Sequence, residues 1–377
     1  MAHHYFLFDM DGILLEPAGY QQALLDSVKR IGKALGAPKT TITKDQIARF
    51  EALNITNEWD TLAICAALTL VHLWHFESSI RLDGLKPKAN PITYDPPDFD
   101  AFLMGISDGG HLPGGTAYQF LINHYPWLDV LQRDHLAALL ENCRDIFHSL
   151  TLPAHQETVL GSRTFEEHYK LKAQLNTDSY LANYDRPAMT EEKFSELRDW
   201  LEHPEHHAGI LTNRPSRTPP GFLSAPEAEL GIKLIDLEHL PYVGSGILGW
   251  FAVNHCQLPD YTLLKPNPVH TLTLLQRCLG LSMIDSLQSA ANLWRGSGVV
   301  SDWKPLENAN IVIFEDSVKG LMSGQSACDL ITKLGIKLNL TLVGISTNPI
   351  KVSALNQVRA LIFDHINQID WFEIASW

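Results

Sequence analysis

The sequence has little cysteine, and the cysteines that it has are dispersed. Five occur among 377 residues, their number is odd, and no two of them form a C-x-x-C pair. This spacing excludes a disulfide framework and a paired-cysteine metal or redox motif, and it indicates reduced thiols in a cytoplasmic protein. The amino-terminal residues carry no basic segment, and Asp9 and Asp11 interrupt their apolar run, so we expect no signal peptide.

Cofactor and metal motifs based on histidine or glycine are also missing. The chain has 17 histidines but no H-E-x-x-H sequence or other zinc-ligand spacing, so we interpret them as surface or core residues. Residues 105–115 hold five glycines together with Asp108 and His111. This stretch lacks the strand-then-helix setting of a dinucleotide-binding fingerprint, and it is either a plain connection or a loop near a substrate.

Positive charge is scarce, because 29 Lys and Arg stand against 43 Asp and Glu, for a net charge of −14. A chain this acidic is a poor match for nucleic acid or an anionic membrane surface, and we expect neither as a partner. A strongly apolar stretch, Thr61 to Phe76, has sixteen residues, whereas a helix that spans a bilayer needs about 20. We therefore interpret it as a buried helix of a small helical domain.

The main positive signal is the stretch from Tyr5 to Gly12. Tyr5 to Asp9 is a short apolar run that ends in two acids, Asp9 and Asp11, and a glycine. Such a run, bounded by a turn signal, is typical of a buried parallel strand, and ligands of open α/β sheets bind beyond the carboxyl ends of strands. Both acids can then approach one ligand, and Gly12 allows a tight turn beside it. The alternative is an edge strand followed by an Asx-type turn.

The rest of the chain divides into a helical part and an alternating part. Residues 17–187 are predicted to be mostly helical. For example, apolar residues from Leu24 to Leu35 recur at helical spacing on one face, and Gly36 follows as a helix stop. From Thr190 onward, short apolar strands alternate with helices. With the first strand, at least five strands alternate with helices, which predicts an α/β fold with a doubly wound, Rossmann-like parallel sheet. A length of 377 residues suits two domains.

Polar residues occur at four predicted strand ends in a fixed order. They are Asp9-x-Asp11-Gly12, Thr212-Asn213, Lys265-Pro266 and Glu315-Asp316-x-x-x-Gly320. Their order and spacing resemble the four motifs of the haloacid dehalogenase-like (HAD) superfamily, and in particular its phosphoglycolate phosphatase and β-phosphoglucomutase branch.

The resemblance implies a division into a core and a cap. That branch inserts a helical cap between the first and second motifs, which here gives an α/β catalytic core of residues 1–16 and 188–377 and a helical cap of residues 17–187. The segments 217–261 and 281–310 are longer than members of the family usually carry. They either thicken the rim of the core or form an oligomer contact, and the chain is expected to be a monomer or a homodimer.

The resemblance also implies phosphoryl chemistry at the motif residues. Asp9 is the expected nucleophile, and Asp11 is the expected general acid and base. Asp9, Asp316 and the main-chain carbonyl of Asp11 are the expected ligands of Mg²⁺, with Glu315 as a further metal-site residue that orients water or Lys265. The residues expected to bind the phosphoryl group are Lys265, Thr212, Asn213 and Gly12.

Each motif residue also has a structural interpretation. Taken alone, Lys265 could be a solvated lysine, and Thr212 could cap a turn. Glu315 and Asp316 could be acids at the amino terminus of a helix, where each stabilises the helix by about 0.3–1 kcal/mol. The neighbouring Arg214 and Arg217 are expected to be surface charges. The joint occurrence of the motif residues in one order favours the catalytic interpretation.

The expected function is that of a Mg²⁺-dependent phosphatase that acts on a small phosphorylated metabolite. The first alternative is a phosphomutase, which passes the phosphoryl group to a second sugar hydroxyl and needs the same Asp9, Asp11 and metal. The second alternative is a catalytically silent HAD-like protein with a regulatory or binding role.

Substrate selectivity is expected to come from the cap. The turn from Asn54 to Asp60 interrupts a helical pattern, and it corresponds to the place where similar capped proteins carry a specificity turn. Asn57 and Trp59 are expected to contact the metabolite there, with Asp60 as a further polar group. The alternative is that Trp59 anchors the core of the cap and that the turn only connects two helices.

Overall fold

A computed structural model describes residues 3–88, 95–106, 108–110 and 112–375 of the chain. The chain divides into two compact units, Met1–Pro17 with Asp185–Trp377, and Ala18–Tyr184. These limits lie within three residues of the predicted domain boundaries. His111 of the glycine-containing stretch lies outside the described residues.

The unit Ala18–Tyr184 is helical. Its first helix ends at Gly36, which has a left-handed φ of 88°, and the second begins at a capping box between Thr43 and Gln46. The helices are Gly19–Leu35 (α1), Lys44–Ala52 (α2), Glu58–Trp74 (α3), Phe99–Gly105 (α4), Pro113–His124 (α5), Val130–Glu141 (α6), Leu152–Leu160 (α7), Ser162–Tyr169 (α8) and Tyr180–Tyr184 (α9).

Helix α3 is the centre of this unit and contains most of the predicted stretch from Thr61 to Phe76. Almost all of its side chains are buried, and they pack with residues of α1, α2, α4, α5 and α6 in one apolar core. Across the part of the chain that the structure describes, no helix is long and apolar enough to cross a membrane. The interpretation of α3 as a buried helix of a helical domain is therefore confirmed.

The other unit contains a six-stranded parallel sheet with helices on both faces, which confirms the predicted α/β fold class. Its strands are His4–Asp9 (β1), Leu15–Glu16 (β2), Arg186–Pro187 (β3), His206–Leu211 (β4), Tyr242–Val243 (β5), Ala309–Glu315 (β6), Leu338–Ile345 (β7) and Leu361–Phe363 (β8). The large sheet has the order β5-β4-β1-β6-β7-β8, and β2 pairs with β3 in a separate antiparallel ribbon.

The helices of this unit lie between and after the strands. They are Glu191–Leu201 (α10), Glu227–Leu234 (α11), Ser245–Phe251 (α12), Pro268–Cys278 (α13), Met283–Trp294 (α14), Val300–Trp303 (α15), Val318–Lys333 (α16), Pro349–Gln357 (α17) and Trp371–Ile374 (α18). The segment 217–261 thus supplies α11, β5 and α12, and the segment 281–310 supplies α14 and α15.

Successive side chains of β1 point to opposite faces of the sheet, and apolar residues cover both faces. Leu7 belongs to the apolar core that α13, α14 and α16 cover, whereas Phe6 and Phe8 belong to the core on the other face. Phe6 stacks on Trp200 of α10 with ring centroids 3.8 Å apart. The two cores hold β1 rigidly, and they fix the position at which Asp9 leaves the sheet.

Candidate active site

The carboxyl ends of three adjacent strands form the candidate site. In the sheet, β1 lies between β4 and β6, and Asp9 pairs in register with Leu211, the residue before Thr212. From β1 the connections lead outward to β4 and β5 on one side and to β6, β7 and β8 on the other. Ligands of open α/β sheets bind at such a reversal of strand order.

Lys265 connects the ends of all three strands. Its Nζ atom lies 2.6 Å from Oδ1 of Asp9 and 2.5 Å from Oε1 of Glu315, and it also donates to the carbonyl of Leu211 at 3.3 Å. Burial lowers the pKa of Lys265, but the charges and hydrogen bonds of the two carboxylates outweigh burial and raise it. Lys265 is therefore a fixed ammonium ion, and the interpretation as a solvated lysine is wrong.

Glu315 is buried completely and holds Lys265 in place. Its Oε1 atom accepts from Lys265, and its Oε2 atom accepts from the hydroxyl of Ser317 at 2.9 Å. Gly320 of α16 lies so close that a Cβ there would meet Glu315 Oε1 at 1.8 Å. The side chain thus fills a space that only glycine leaves free.

The carboxylates of this site repel one another. Burial raises the pKa of Asp9 well above its ordinary value, and Glu315 adds to this effect while Lys265 opposes it. The pKa of Glu315 is also raised, mainly by burial, and Lys265 again opposes the rise. Burial is the main cause of both shifts, but the three carboxylates Asp9, Glu315 and Asp316 also outnumber the two lysines that contact them, Lys265 and Lys351, so a further cation would be stabilised here.

The donor set fits a hard divalent cation. Asp9, Glu315 and Asp316 each place a carboxylate oxygen within 4.8 Å of the others, and oxygen ligands of this kind suit Mg²⁺. Gly12, with a φ of +82°, keeps the space open, because a Cβ there would lie 3.0 Å from Oδ2 of Asp316. Lys351 donates to the same oxygen at 2.5 Å, and half of its side chain is exposed.

Asp11 is bound by a buried arginine. The Nε atom of Arg214 lies 3.0 and 2.9 Å from the two carboxylate oxygens, and its Nη2 atom lies 2.5 Å from Oδ1. Arg214 is only 3% exposed, so the expectation of a surface charge is wrong for it, whereas Arg217 is exposed. The guanidinium of Arg214 also binds Asp185 at 2.8 Å. Sequence reasoning missed both contacts, although Arg214 stands only two residues beyond Thr212.

Two of the predicted phosphate-binding residues make hydrogen bonds within the turns that follow β4 and β1. The hydroxyl of the buried Thr212 accepts from the backbone N–H of Arg214 at 3.0 Å and so stabilises the turn after β4. The N–H of Gly12 donates to the carbonyl of Leu15 at 2.7 Å. The Gly12 amide thus takes part in the turn, and the absence of a Cβ leaves space beside Asp316; phosphate binding by Gly12, Thr212 and Asn213 stays a prediction. Asn213 is exposed at the end of β4.

The remaining predicted residues lie in the helical unit. Asn57 is exposed and precedes α3, and Trp59 is half-buried in its first turn. Asp60 is 1% exposed and accepts from Arg144 Nε at 3.1 Å, from Arg144 Nη2 at 2.7 Å and from Cys143 Sγ at 3.2 Å. Asp60 thus joins α3 to the segment after α6, which gives it a structural role; substrate contact by Asn57 and Trp59 stays a prediction.

We expect Asp60→Ala to destabilise the helical unit by about 1–3 kcal/mol, because it removes a charge-assisted acceptor from Arg144 and the buried Cys143 thiol. Urea unfolding followed by circular dichroism measures this loss. Asp45→Ala is the matched control, since Asp45 is an exposed acid in the first turn of α2. Equal losses in the two variants would contradict the structural role of the Asp60 contacts.

Comparisons with known proteins establish the fold and no more. No protein-family model and no curated protein matches the sequence. An X-ray structure solved as target ZR25 of the Northeast Structural Genomics Consortium has 15% identity and a TM-score of 0.63, over 98% of this chain and 97% of that chain. Phosphatase Tt82 from Thermococcus thioreducens has 11% identity and a TM-score of 0.45, over 93% of this chain and 99% of that chain. The first likeness supports the fold, and the second is too weak to carry an argument.

Proposed function

We propose that the protein is a Mg²⁺-dependent phosphatase of a small phosphorylated metabolite that works through an aspartyl-phosphate on Asp9. The observation that carries the proposal is the buried Lys265, held between Asp9 and Glu315 with Asp316 beside them. A strand-end carboxylate, a fixed ammonium ion and a hard oxygen site meet there. This combination suits the transfer of a phosphoryl dianion.

The charges of the site decide whether a carboxylate can approach a phosphate ester. Two like unit charges 4 Å apart repel by about 4 kcal/mol at an effective dielectric constant near 20. Lys265 offsets part of this repulsion. Asp9, Asp316 and the main-chain carbonyl of Asp11 would hold Mg²⁺, which when bound supplies the remaining positive charge and polarises the phosphoryl oxygens.

The chain's own groups then carry out two displacements. In the first, a carboxylate oxygen of Asp9 attacks phosphorus, the bond from phosphorus to the ester oxygen breaks, and Asp11 gives its proton to that oxygen to form the alcohol. In the second, the Asp11 carboxylate takes a proton from water as the water oxygen attacks phosphorus. The bond from phosphorus to Asp9 breaks, which releases inorganic phosphate and restores both aspartates.

A panel of phosphate monoesters tests the function. We expect the purified protein to release inorganic phosphate from at least one sugar, hydroxy-acid or alcohol phosphate when Mg²⁺ is present. Conversion of a sugar phosphate into an isomer without release of phosphate would instead identify a phosphomutase. No turnover of any ester, on folded protein supplied with Mg²⁺ or Mn²⁺, would favour a silent HAD-like binding protein.

A further inference from the structure

The candidate general acid, Asp11, is the outer member of a row of three charged groups whose two inner members are buried. The guanidinium of Arg214 contacts Asp11 on one side and Asp185 on the other, with its Nη2 atom 2.5 Å from Asp11 Oδ1 and 2.8 Å from Asp185 Oδ2. The side chains of Arg214 and Asp185 are each 1% exposed, whereas that of Asp11 is 33% exposed. Of these three groups, only Asp11 can therefore contact a ligand from solution.

Packing and hydrogen bonds fix the inner two members. The backbone N–H of Arg214 donates to Thr212, and its carbonyl accepts from Ser245 at 3.0 Å. Asp185 is the first residue of the α/β unit after the helical unit, directly before β3. A guanidinium held in this way offers Asp11 a rigid, two-pronged contact, which sets the plane of the carboxyl group.

Two carboxylates share the charge of the one guanidinium, and this has a consequence for Asp11. A buried guanidinium that loses its only partner is costly, because an uncompensated charge remains inside the protein. Since Asp185 stays bound to Arg214, the guanidinium keeps a compensating carboxylate and its position while Asp11 gives up a proton or takes one back. Without Asp185, Arg214 loses the contact that holds it from the inner side, and the orientation that it gives to Asp11 is less well fixed.

We propose that Arg214 and Asp185 are positioning residues that orient Asp11 for proton transfer to the leaving oxygen. This inference rests on the proposed phosphatase function, in which Asp11 is the general acid. It predicts that Arg214 and Asp185 matter for esters whose leaving group needs a proton, and matter little for esters whose leaving group departs as a stable anion.

Phenyl phosphate and 2,4-dinitrophenyl phosphate separate these cases, because phenolate is much more basic than dinitrophenolate. For Asp185→Asn and Arg214→Lys we expect kcat on phenyl phosphate to fall by about tenfold to a hundredfold, within the range of general acid catalysis. With 2,4-dinitrophenyl phosphate we expect a fall of less than about threefold, and KM should change little for either ester. Asp11→Asn sets the upper limit, with a selective loss of about 10²–10⁴-fold on phenyl phosphate.

Matched controls carry the same substitutions at exposed positions of the same unit. Asp199→Asn in α10 and Arg217→Lys should leave both rates unchanged. Equal losses on the two esters, or no loss on phenyl phosphate, would overturn the positioning role while the phosphatase proposal stands. A wild-type protein that hydrolyses neither ester and no member of the panel would overturn both proposals.

Asp185→Glu keeps the experiment decisive where Asp185→Asn does not fold. This variant keeps a negative carboxylate beside Arg214 but displaces it by one methylene. Its kcat on phenyl phosphate should therefore fall selectively, and by less than that of Arg214→Lys. An equal loss on both esters in this variant would again count against the inference.

Discussion

Asp9→Asn should abolish turnover and the phosphoenzyme together. The neutral carboxamide cannot act as the attacking carboxylate, so no covalent intermediate forms. Labelled phosphate or a beryllium trifluoride adduct, followed by peptide mass analysis, should locate the intermediate on Asp9 in the wild-type protein and find none in the variant. A label on any other residue would end the covalent assignment made here.

Asp9→Asn should not lower the stability of the folded protein. A loss of activity in this variant can therefore be distinguished from a loss of folded protein. Burial and Glu315 raise the pKa of Asp9 above its ordinary value of 3.8. A carboxyl group whose pKa rises on folding favours folding at pH values below its unfolded pKa, and this contribution is lost as the pH rises through the folded value. Asp9 therefore contributes less to stability as the pH rises, whereas Asn carries no charge at any pH, so Asp9→Asn without metal at neutral pH should unfold at the same temperature or a higher one.

Lys265 keeps a partner in that variant, and this supports the same expectation. Its contact with Glu315, at 2.5 Å, does not involve Asp9. A marked fall in the unfolding temperature of Asp9→Asn would mean that the Lys265–Asp9 contact stabilises the fold more than the carboxylates repel one another.

The central strands and the residues at their ends could be predicted because each is encoded locally. An apolar run that ends in polar residues specifies both a buried strand and the point where it leaves the sheet, as for β1 with Asp9 and β6 with Glu315. The strand β5 could not be found in this way, because two residues, Tyr242 and Val243, are too few to form a pattern.

The ion pairs of the site could not be predicted, because they join residues far apart in the chain. Arg214 meets Asp11 across 203 residues and Asp185 across 29, and an arginine after a strand is most often a surface charge. Gly12 illustrates a second limit. The sequence indicates a turn there, but only the folded chain reveals that Asp316 fills the space beside it.

Removal of divalent metal should abolish activity in the wild-type protein, and Mg²⁺ or Mn²⁺ should restore it. The proposed ligands Asp9, Asp316 and the carbonyl of Asp11 are all oxygen donors, with the carboxylate of Glu315 close to Asp9 and Asp316, and donors of this kind suit these cations better than zinc. Full activity on protein that elemental analysis finds free of metal, in excess chelator, would rule out the proposed role of the cation.

Thermal unfolding gives a second measurement that does not depend on turnover. Mg²⁺ at a hundredfold excess over its dissociation constant should stabilise the folded protein by about 2.7 kcal/mol, which corresponds to a rise in Tm of about 5–10 °C for a unit of this size. Asp316→Asn should lose most of this rise, because it removes a charged ligand. Asp364→Asn, an exposed carboxylate directly after β8, should retain it, and an equal response of the two variants would place the cation elsewhere.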